Sequence, residues 1–193
     1  MAFRHAAGLL DVTPLFKYDV SGKDAAALLS KVMVRDIHKL KLDQVTYTCW
    51  CDGEGKVLDD GTVTRLGEDY FRVTAAAPTY QWLDRHSRGF NAKIEDVSTK
   101  LAALALQGPF ARHILKKACD ADVDKLGFFR AAQGARFEGF SGIVTRTGYT
   151  GDLGFEVWVD AKDALKLWDR MMDAGAHYNL RPAGLAALDM TRV

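Results

Sequence analysis

Apolar and polar positions along the chain predict short strands that alternate with amphipathic helices. Alternation with a period of two, or a run of β-branched residues, indicates a strand, whereas apolar residues three or four apart indicate a helix. The predicted strands are Leu9–Val12, Phe16–Val20, Thr46–Asp52, Val57–Leu66, Tyr70–Ala75, Ala92–Asp96, Leu101–Gln107, Ala135–Glu138, Ile143–Arg146 and Phe155–Val159. The predicted helices are 24–34, 79–88, Pro109–Ala118, Lys162–Ala174 and Leu185–Val193.

Two of these helices carry more detailed expectations. Ser21 is a plausible N-cap for the first helix, because Asp24 follows three residues later as in a capping box. The helix Lys162–Ala174 is amphipathic, and its spacing predicts that Leu165, Trp168 and Met172 face the core.

The order of the elements predicts an α+β fold. Strands follow one another as antiparallel hairpins, so the chain lacks the strict βαβα alternation of a doubly wound sheet. Helices are therefore expected on one face of antiparallel sheets. A chain of 193 residues can form one large domain or two small ones.

Composition and charge exclude several classes of protein. A net charge of +1 argues against a dedicated nucleic-acid surface, and no run approaches the roughly 18 apolar residues of a membrane span. The N-terminal residues lack the apolar core of a signal peptide. Cys49, Cys51 and Cys119 do not have a disulfide or metal-site spacing. We expect a cytoplasmic protein with reduced thiols, no bound metal, and no nucleic-acid or membrane partner.

The richest candidate chemistry lies in a glycine-rich segment between two predicted strands. Residues 145–156 read TRTGYTGDLGFE. Glycines let the backbone approach a ligand closely, Tyr149 can offer a flat ring, and Glu156 can accept hydrogen bonds. An ordinary β-hairpin is an equally good interpretation of these residues alone.

This segment resembles the T-GYTG-x-x-GFE signature of the T-protein family. That family comprises aminomethyltransferases of the glycine cleavage system and related tetrahydrofolate-dependent one-carbon transferases. Further segments are similar to family motifs in the same order. They are Gly8–Thr13 (GxFDVS), Gly53–Asp60 (GGxxDD), Leu104–Pro109 (LAxQGP) and Arg181–Leu185, which leads into a folate-side helix.

The resemblance implies two interleaved antiparallel-sheet-plus-helix subdomains with tetrahydrofolate held between them. One would span residues 16–101, and the other would combine residues 1–15 with 102–193. The family continues into a C-terminal barrel domain, which this sequence does not contain. We therefore expect either a fragment or a short member of the family.

The resemblance also assigns roles to particular residues. Asp60, the second acid of an adjacent pair, would act near the reacting folate nitrogens and stabilise developing positive charge. On a strand Asp59 would point to the opposite face. The remaining folate contacts would be Glu156 at the pterin, Tyr149, Tyr47 and Leu15. Strand packing for either tyrosine and turn chemistry for the acids are the alternatives.

Two departures from the family pattern concern the substrate. Ala76 stands where family aminomethyltransferases have asparagine, and Leu188 stands where they have arginine. Related demethylases also lack both groups. We expect transfer of a methyl or methylene unit from a small amine or sulfonium donor to tetrahydrofolate, with a lipoyl carrier protein as a possible partner. The alternatives are a non-catalytic folate-binding or regulatory protein, and a half-protein whose site another segment completes.

Overall fold

The computed structural model describes residues 2–192, and its contacts divide the chain into two compact units. Unit 1 combines Met1–Thr13 with Lys100–Val193, and unit 2 is the continuous segment Pro14–Thr99. Each unit contains a largely antiparallel sheet with helices packed on it. The predicted α+β class is confirmed. The assignment of folate-binding subdomains stays a prediction.

The helices and strands have the following bounds. The strands are β1 (Ala7–Asp11), β2 (Phe16–Ser21), β3 (Val45–Cys51), β4 (Val57–Gly67), β5 (Tyr70–Ala75), β6 (Lys93–Asp96), β7 (Leu101–Gln107), β8 (Ala131–Phe137), β9 (Phe140–Thr145), β10 (Gly154–Asp160) and β11 (Leu180–Pro182). The α-helices are α1 (Ala2–His5), α2 (Ala25–Val32), α3 (Tyr80–Ser87), α4 (Ala111–Ala118), α5 (Ala164–Gly175) and α6 (Leu185–Asp189). Short 3₁₀ helices cover Ile37–Lys39, Ala161–Asp163 and Ala176–Tyr178.

Unit 2 has a five-stranded antiparallel sheet in the order β3-β4-β5-β2-β6. Helices α2 and α3 pack on one face, where their leucines meet Trp50, Val63 and Phe71 in a buried core. Cross-strand partners share a face, so the register places polar residues on the other face. Those residues include Tyr47, Asp60, Thr62 and Thr74.

Unit 1 has a six-stranded sheet in the order β11-β1-β7-β10-β9-β8. Strand β11 pairs with β1 in parallel, and the pairings of β1–β7, β7–β10, β10–β9 and β9–β8 are antiparallel. Helices α4 and α5 cover one face and form the larger core. The other face carries Glu156 in register with Ala105 and Thr145. A small cluster of Phe3, Leu10, Ala105 and Leu188 packs on that second face.

The start of α2 differs from the prediction. Ser21 is not an N-cap, because β2 continues through it to pair with Tyr70 and Lys93. The helix begins after Asp24, whose carboxylate accepts a hydrogen bond from the backbone N–H of Asn91 at 2.7 Å and makes no cap bond. Sheet pairing is therefore preferred over the capping box.

The buried stripe of α5 also differs from the prediction. Leu165 is 79% exposed, whereas Leu167, Met171 and Ala174 are buried. Leu165 lies about 200° around the helix from Leu167, so both cannot face the sheet. Trp168 and Met172 pack at the edge of the core.

The last predicted helix is shorter than expected. Helix α6 ends at Asp189, and the predicted end at Val193 lies outside the described residues. Leu188 is buried, while Leu185 and Met190 are exposed. Helix α1 and strand β11 were not predicted, because four and three residues are too short to show a period.

Candidate functional site

The sequence-predicted site residues lie in two groups. Leu15, Tyr47 and Asp60 belong to unit 2, whereas Tyr149 and Glu156 belong to unit 1. Each group is built by the strands of its own sheet. The role of every one of these residues stays a prediction.

In unit 2, Asp60 and Tyr47 are in direct contact. Asp60 on β4 is the cross-strand partner of Cys49 on β3, and Tyr47 lies two residues before Cys49 on the same face. The Tyr47 hydroxyl donates a hydrogen bond of 2.6 Å to Asp60 Oδ2. Tyr47 is 52% exposed despite its size. The pair therefore presents a carboxylate and a phenol on the polar face of the sheet.

The neighbouring acid has a different partner. Asp59 Oδ2 accepts a hydrogen bond of 2.8 Å from the backbone N–H of Ala77. This bond holds the loop that follows β5, in which Ala76 is exposed. Asp59 thus stabilises a loop, while Asp60 contacts the candidate site residue Tyr47.

Leu15 lies in the loop before β2. Its carbonyl oxygen accepts a hydrogen bond of 2.9 Å from Lys17 Nζ, and Lys17 is completely buried. The ammonium group also donates to Ser98 O at 3.2 Å. The backbone at Leu15 is therefore firmly held.

In unit 1, Glu156 presents a partly buried carboxylate. Its Oε2 accepts a hydrogen bond of 2.6 Å from the Thr147 hydroxyl. Burial raises the pKa of Glu156, and the bond from Thr147 opposes that rise. Among residues 2–192, Thr147 is the one hydrogen-bond donor to this carboxylate. Oε1 can therefore accept from a ligand.

A buried glutamine organises the glycine-rich segment. Gln107 is 1% exposed, and its Nε2 donates to Thr147 O at 3.2 Å and Phe155 O at 3.4 Å. A Cβ at Gly148 or Gly154 would lie 2.1 or 1.9 Å from Gln107 Oε1. The two glycines are required by this close approach. Gln107 was read from the sequence only as a strand end.

Tyr149 is partly covered by a cation. The guanidinium of Arg192 lies 3.6 Å from the ring centroid, and it also donates to Tyr149 O at 3.3 Å. Arg4 donates to Thr150 O and Thr191 O and pairs with the carboxylate of Asp152. The residues after α6 and those of α1 thus hold the segment that carries Tyr149.

Metal-binding clusters and membrane-spanning helices are absent from the part of the chain that the structure describes. It contains no group of three or more His, Cys, Asp and Glu side chains that could hold a metal ion. No helix in residues 2–192 is long and apolar enough to cross a membrane. Cys49, Cys51 and Cys119 are free thiols.

Comparisons with known proteins identify the family of the chain. A family model described as GCVT N-terminal domain matches residues 1–193. An aminomethyltransferase of Caldanaerobacter subterraneus subsp. tengcongensis is 38% identical, with 99% of this chain and 52% of that protein covered. An aminomethyltransferase of Bacillus mycoides is also 38% identical, with 99% of this chain and 53% of that protein covered. The chain thus spans about half the length of the curated relatives it matches.

Solved structures share the fold. The glycine cleavage system aminomethyltransferase T from Bartonella henselae superposes with a TM-score of 0.86 at 30% identity, covering 98% of this chain and 51% of that one. The heterotetrameric sarcosine oxidase from Corynebacterium sp. U-96 has a TM-score of 0.69 at 20% identity, covering 90% and 86%. The second likeness concerns the fold alone.

Proposed function

The chain belongs to the GCVT N-terminal domain family, and from this premise we propose that it acts in tetrahydrofolate-dependent one-carbon transfer. The resemblance noted in the sequence is confirmed at the level of the family. The chain spans about half the length of these relatives, so their activity is put forward here as a proposal.

The observation that supports the proposal is the partial burial of the Glu156 carboxylate and its single hydrogen bond from Thr147 within residues 2–192. A pterin presents an N–H and a neighbouring amino group along one edge, and a carboxylate can accept both hydrogen bonds. Glu156 is partly buried and retains an acceptor oxygen, Oε1, beside the one that Thr147 occupies. Such a group binds paired N–H donors strongly, because water competes poorly there.

Asp60 is proposed as the residue that acts on charge during transfer. A carboxylate stabilises positive charge that develops on a nitrogen in the transition state. The hydrogen bond from Tyr47 fixes the orientation of Asp60, which is what such a role requires. Tyr47, Tyr149 and Leu15 are proposed to contact the folate.

We propose a small amine or sulfonium compound as the donor of a methyl or methylene unit. Leu188 supports this choice, since it is buried against Phe3, Leu10 and Ala105 and offers no polar group. Ala76 likewise offers only a methyl group. If the donor were instead a lipoyl-bound aminomethyl group, the partner would be a lipoyl carrier protein. A cytoplasmic location stays a prediction.

Folate binding without turnover is the second candidate function. The same two replacements favour it, because they remove polar groups without removing Glu156 or Asp60. Turnover separates the two candidates. Methyl transfer to tetrahydrofolate from an amine or sulfonium donor would support the first, and rapid ammonia release from an aminomethylated lipoyl carrier would contradict the proposed donor class.

Calorimetry with tetrahydrofolate tests the binding proposal. Glu156→Gln turns one acceptor into a donor that opposes the pterin N–H groups, which costs roughly 1–3 kcal/mol. Affinity should fall by about 5- to 150-fold. Glu138→Gln is the matched control, because the Glu138 side chain is 83% exposed in the same unit. Equal affinity in both variants would contradict the role of Glu156.

A further inference from the structure

Three side chains form a continuous hydrogen-bonded row that ends at Glu156. Trp158 Nε1 lies 3.4 Å from Thr145 Oγ1, which lies 2.7 Å from Thr147 Oγ1. Thr147 Oγ1 in turn lies 2.6 Å from Glu156 Oε2. Strand pairing builds this row, since Thr145 on β9 is the cross-strand partner of Glu156 on β10. Trp158 follows on the same face two residues later.

When Glu156 is ionised, the two ends of the row fix the direction of every hydrogen bond in it. An indole N–H can only donate, and an ionised carboxylate can only accept. Thr147 uses its single hydroxyl hydrogen toward Glu156, so Thr145 is the donor in the 2.7 Å bond to Thr147. The Glu156 carbonyl oxygen is a second and more distant acceptor for Thr145, at 3.4 Å. Thr145 then accepts from Trp158. All the donated hydrogens therefore point toward the carboxylate.

From this geometry we infer that Thr147, supported by Thr145 and Trp158, is the positioning residue that holds the Glu156 carboxylate for its ligand. The inference rests on the proposed function of Glu156 as the pterin acceptor. Thr145, Thr147 and Trp158 are all buried, so water does not replace the row. Bonds aligned in one direction strengthen one another in such an environment.

The row has two consequences for the ligand. It favours the ionised carboxylate, which accepts at both oxygens and so selects a ligand edge with adjacent N–H donors. It also anchors Oε2, which leaves Oε1 in a defined direction. Two buried threonines that only stabilised the fold would not need hydrogen bonds that all point the same way, and their row would not need to end at a carboxylate.

Within residues 2–192, the side chains named as facing Glu156 from neighbouring elements are not ionisable. Across the neighbouring strands Glu156 faces Ala105 of β7 and Thr145 of β9. On the same face α1 and α6 contribute Phe3 and Leu188. Burial raises the pKa of Glu156, and the hydrogen bond from Thr147 is the influence recorded against it.

Carbon-13 NMR of carboxyl-labelled glutamate tests the inference without any ligand. The Glu156 resonance, assigned by its loss in Glu156→Gln, is titrated with pH in four proteins. These are the wild type, Thr147→Val, Thr147→Ser and Thr145→Val. Valine keeps the shape and removes the hydroxyl, whereas serine keeps the hydroxyl. The midpoint should rise in Thr147→Val, rise less in Thr145→Val, and return toward wild type in Thr147→Ser.

Tetrahydrofolate calorimetry at neutral pH then measures the consequence for binding. Thr147→Val should weaken binding by about 10- to 150-fold, the effect of a lost hydrogen bond to a charged group. Thr147→Ser should stay within a few-fold of wild type. An unchanged Glu156 titration in a folded Thr147→Val protein would overturn the inference. Failure of the wild type itself to bind tetrahydrofolate would instead overturn the proposed function, and the titration would still decide the positioning role.

Discussion

Replacing Gly154 with alanine should disrupt the contact on which the glycine-rich segment is built. An added Cβ would lie 1.9 Å from Gln107 Oε1 and 2.4 Å from Nε2, far inside van der Waals contact. Gln107 is 1% exposed, so its amide has no solvent into which to move. The side chain must rotate and give up its bonds to Thr147 O and Phe155 O and the bond that its Oε1 accepts from the Thr150 hydroxyl.

The magnitude follows from those bonds. Each hydrogen bond contributes about 0.5–1.5 kcal/mol, and a buried polar group left unsatisfied costs about 1–3 kcal/mol. Loss of three bonds with partial rearrangement predicts a destabilisation of roughly 2–4 kcal/mol. For a chain of this length, that lowers Tm by roughly 4–16 °C.

A double-mutant cycle measured by chemical denaturation checks this explanation. In a Gln107→Ala background the added methyl group meets no amide, so Gly154→Ala should cost less than about 1 kcal/mol. Gly184→Ala is the control within the same unit, because a Cβ there meets nothing within 4 Å. Equal costs of Gly154→Ala in both backgrounds would show that Gln107 is not the cause.

Three further predictions concern the acids, the second face of unit 1 and the arginine bridge. Asp60→Asn should reduce turnover far more than Asp59→Asn. Asp59→Asn should instead lower Tm, because it weakens the bond to Ala77 N; the reverse result would show the assignment to be wrong. Leu188→Ala should lower the free energy of unfolding by about 2–4 kcal/mol in denaturant titration. A loss below about 0.5 kcal/mol, as expected for an exposed side chain, would contradict its burial. Arg4→Met should accelerate amide hydrogen exchange at residues 149–152, because Arg4 bonds to Thr150 O and to the Asp152 carboxylate. Unchanged exchange there would show that Arg4 does not hold this segment.

The sequence predicts the elements of this fold better than their orientation. Strands such as Tyr70–Ala75 and Leu101–Gln107 are found with their predicted bounds, because alternation and turn residues are local signals. The prediction that Leu165 lies on the inward face of α5 is wrong, because the rotation of a helix on a sheet depends on residues distant in the sequence. The three-residue strand β11 exists only through its parallel pairing with β1.

The candidate site shows the same limit. Glycines, Tyr149 and Glu156 make the segment a candidate functional site, and the family pattern supplies predicted roles. The sequence did not reveal that Thr147 donates to Glu156 or that Gln107 lies between two glycines. These contacts depend on strand register and on residues about 40 positions apart, which a local pattern does not encode.

A last prediction concerns the stability cost of the proposed acceptor. Burial raises the folded-state pKa of Glu156 above its usual value of 4.5. The unfolded chain therefore loses this proton first, and the contribution of Glu156 to stability falls as pH rises through the folded-state pKa. Glu156→Gln cannot ionise and escapes that loss.

The difference in unfolding free energy between Glu156→Gln and wild type should therefore grow in favour of the variant from below pH 4.5 to neutral pH. Other titrating groups are common to both proteins and cancel in the difference. Denaturant titrations at several pH values measure it, with Glu138→Gln as the exposed control. If this difference stayed constant with pH, or if the wild type became relatively more stable as pH rises, burial of the ionised Glu156 carboxylate would not destabilise the folded protein. Greater stability at neutral pH together with weaker tetrahydrofolate binding in one variant would mean that this carboxylate is kept for binding rather than for folding.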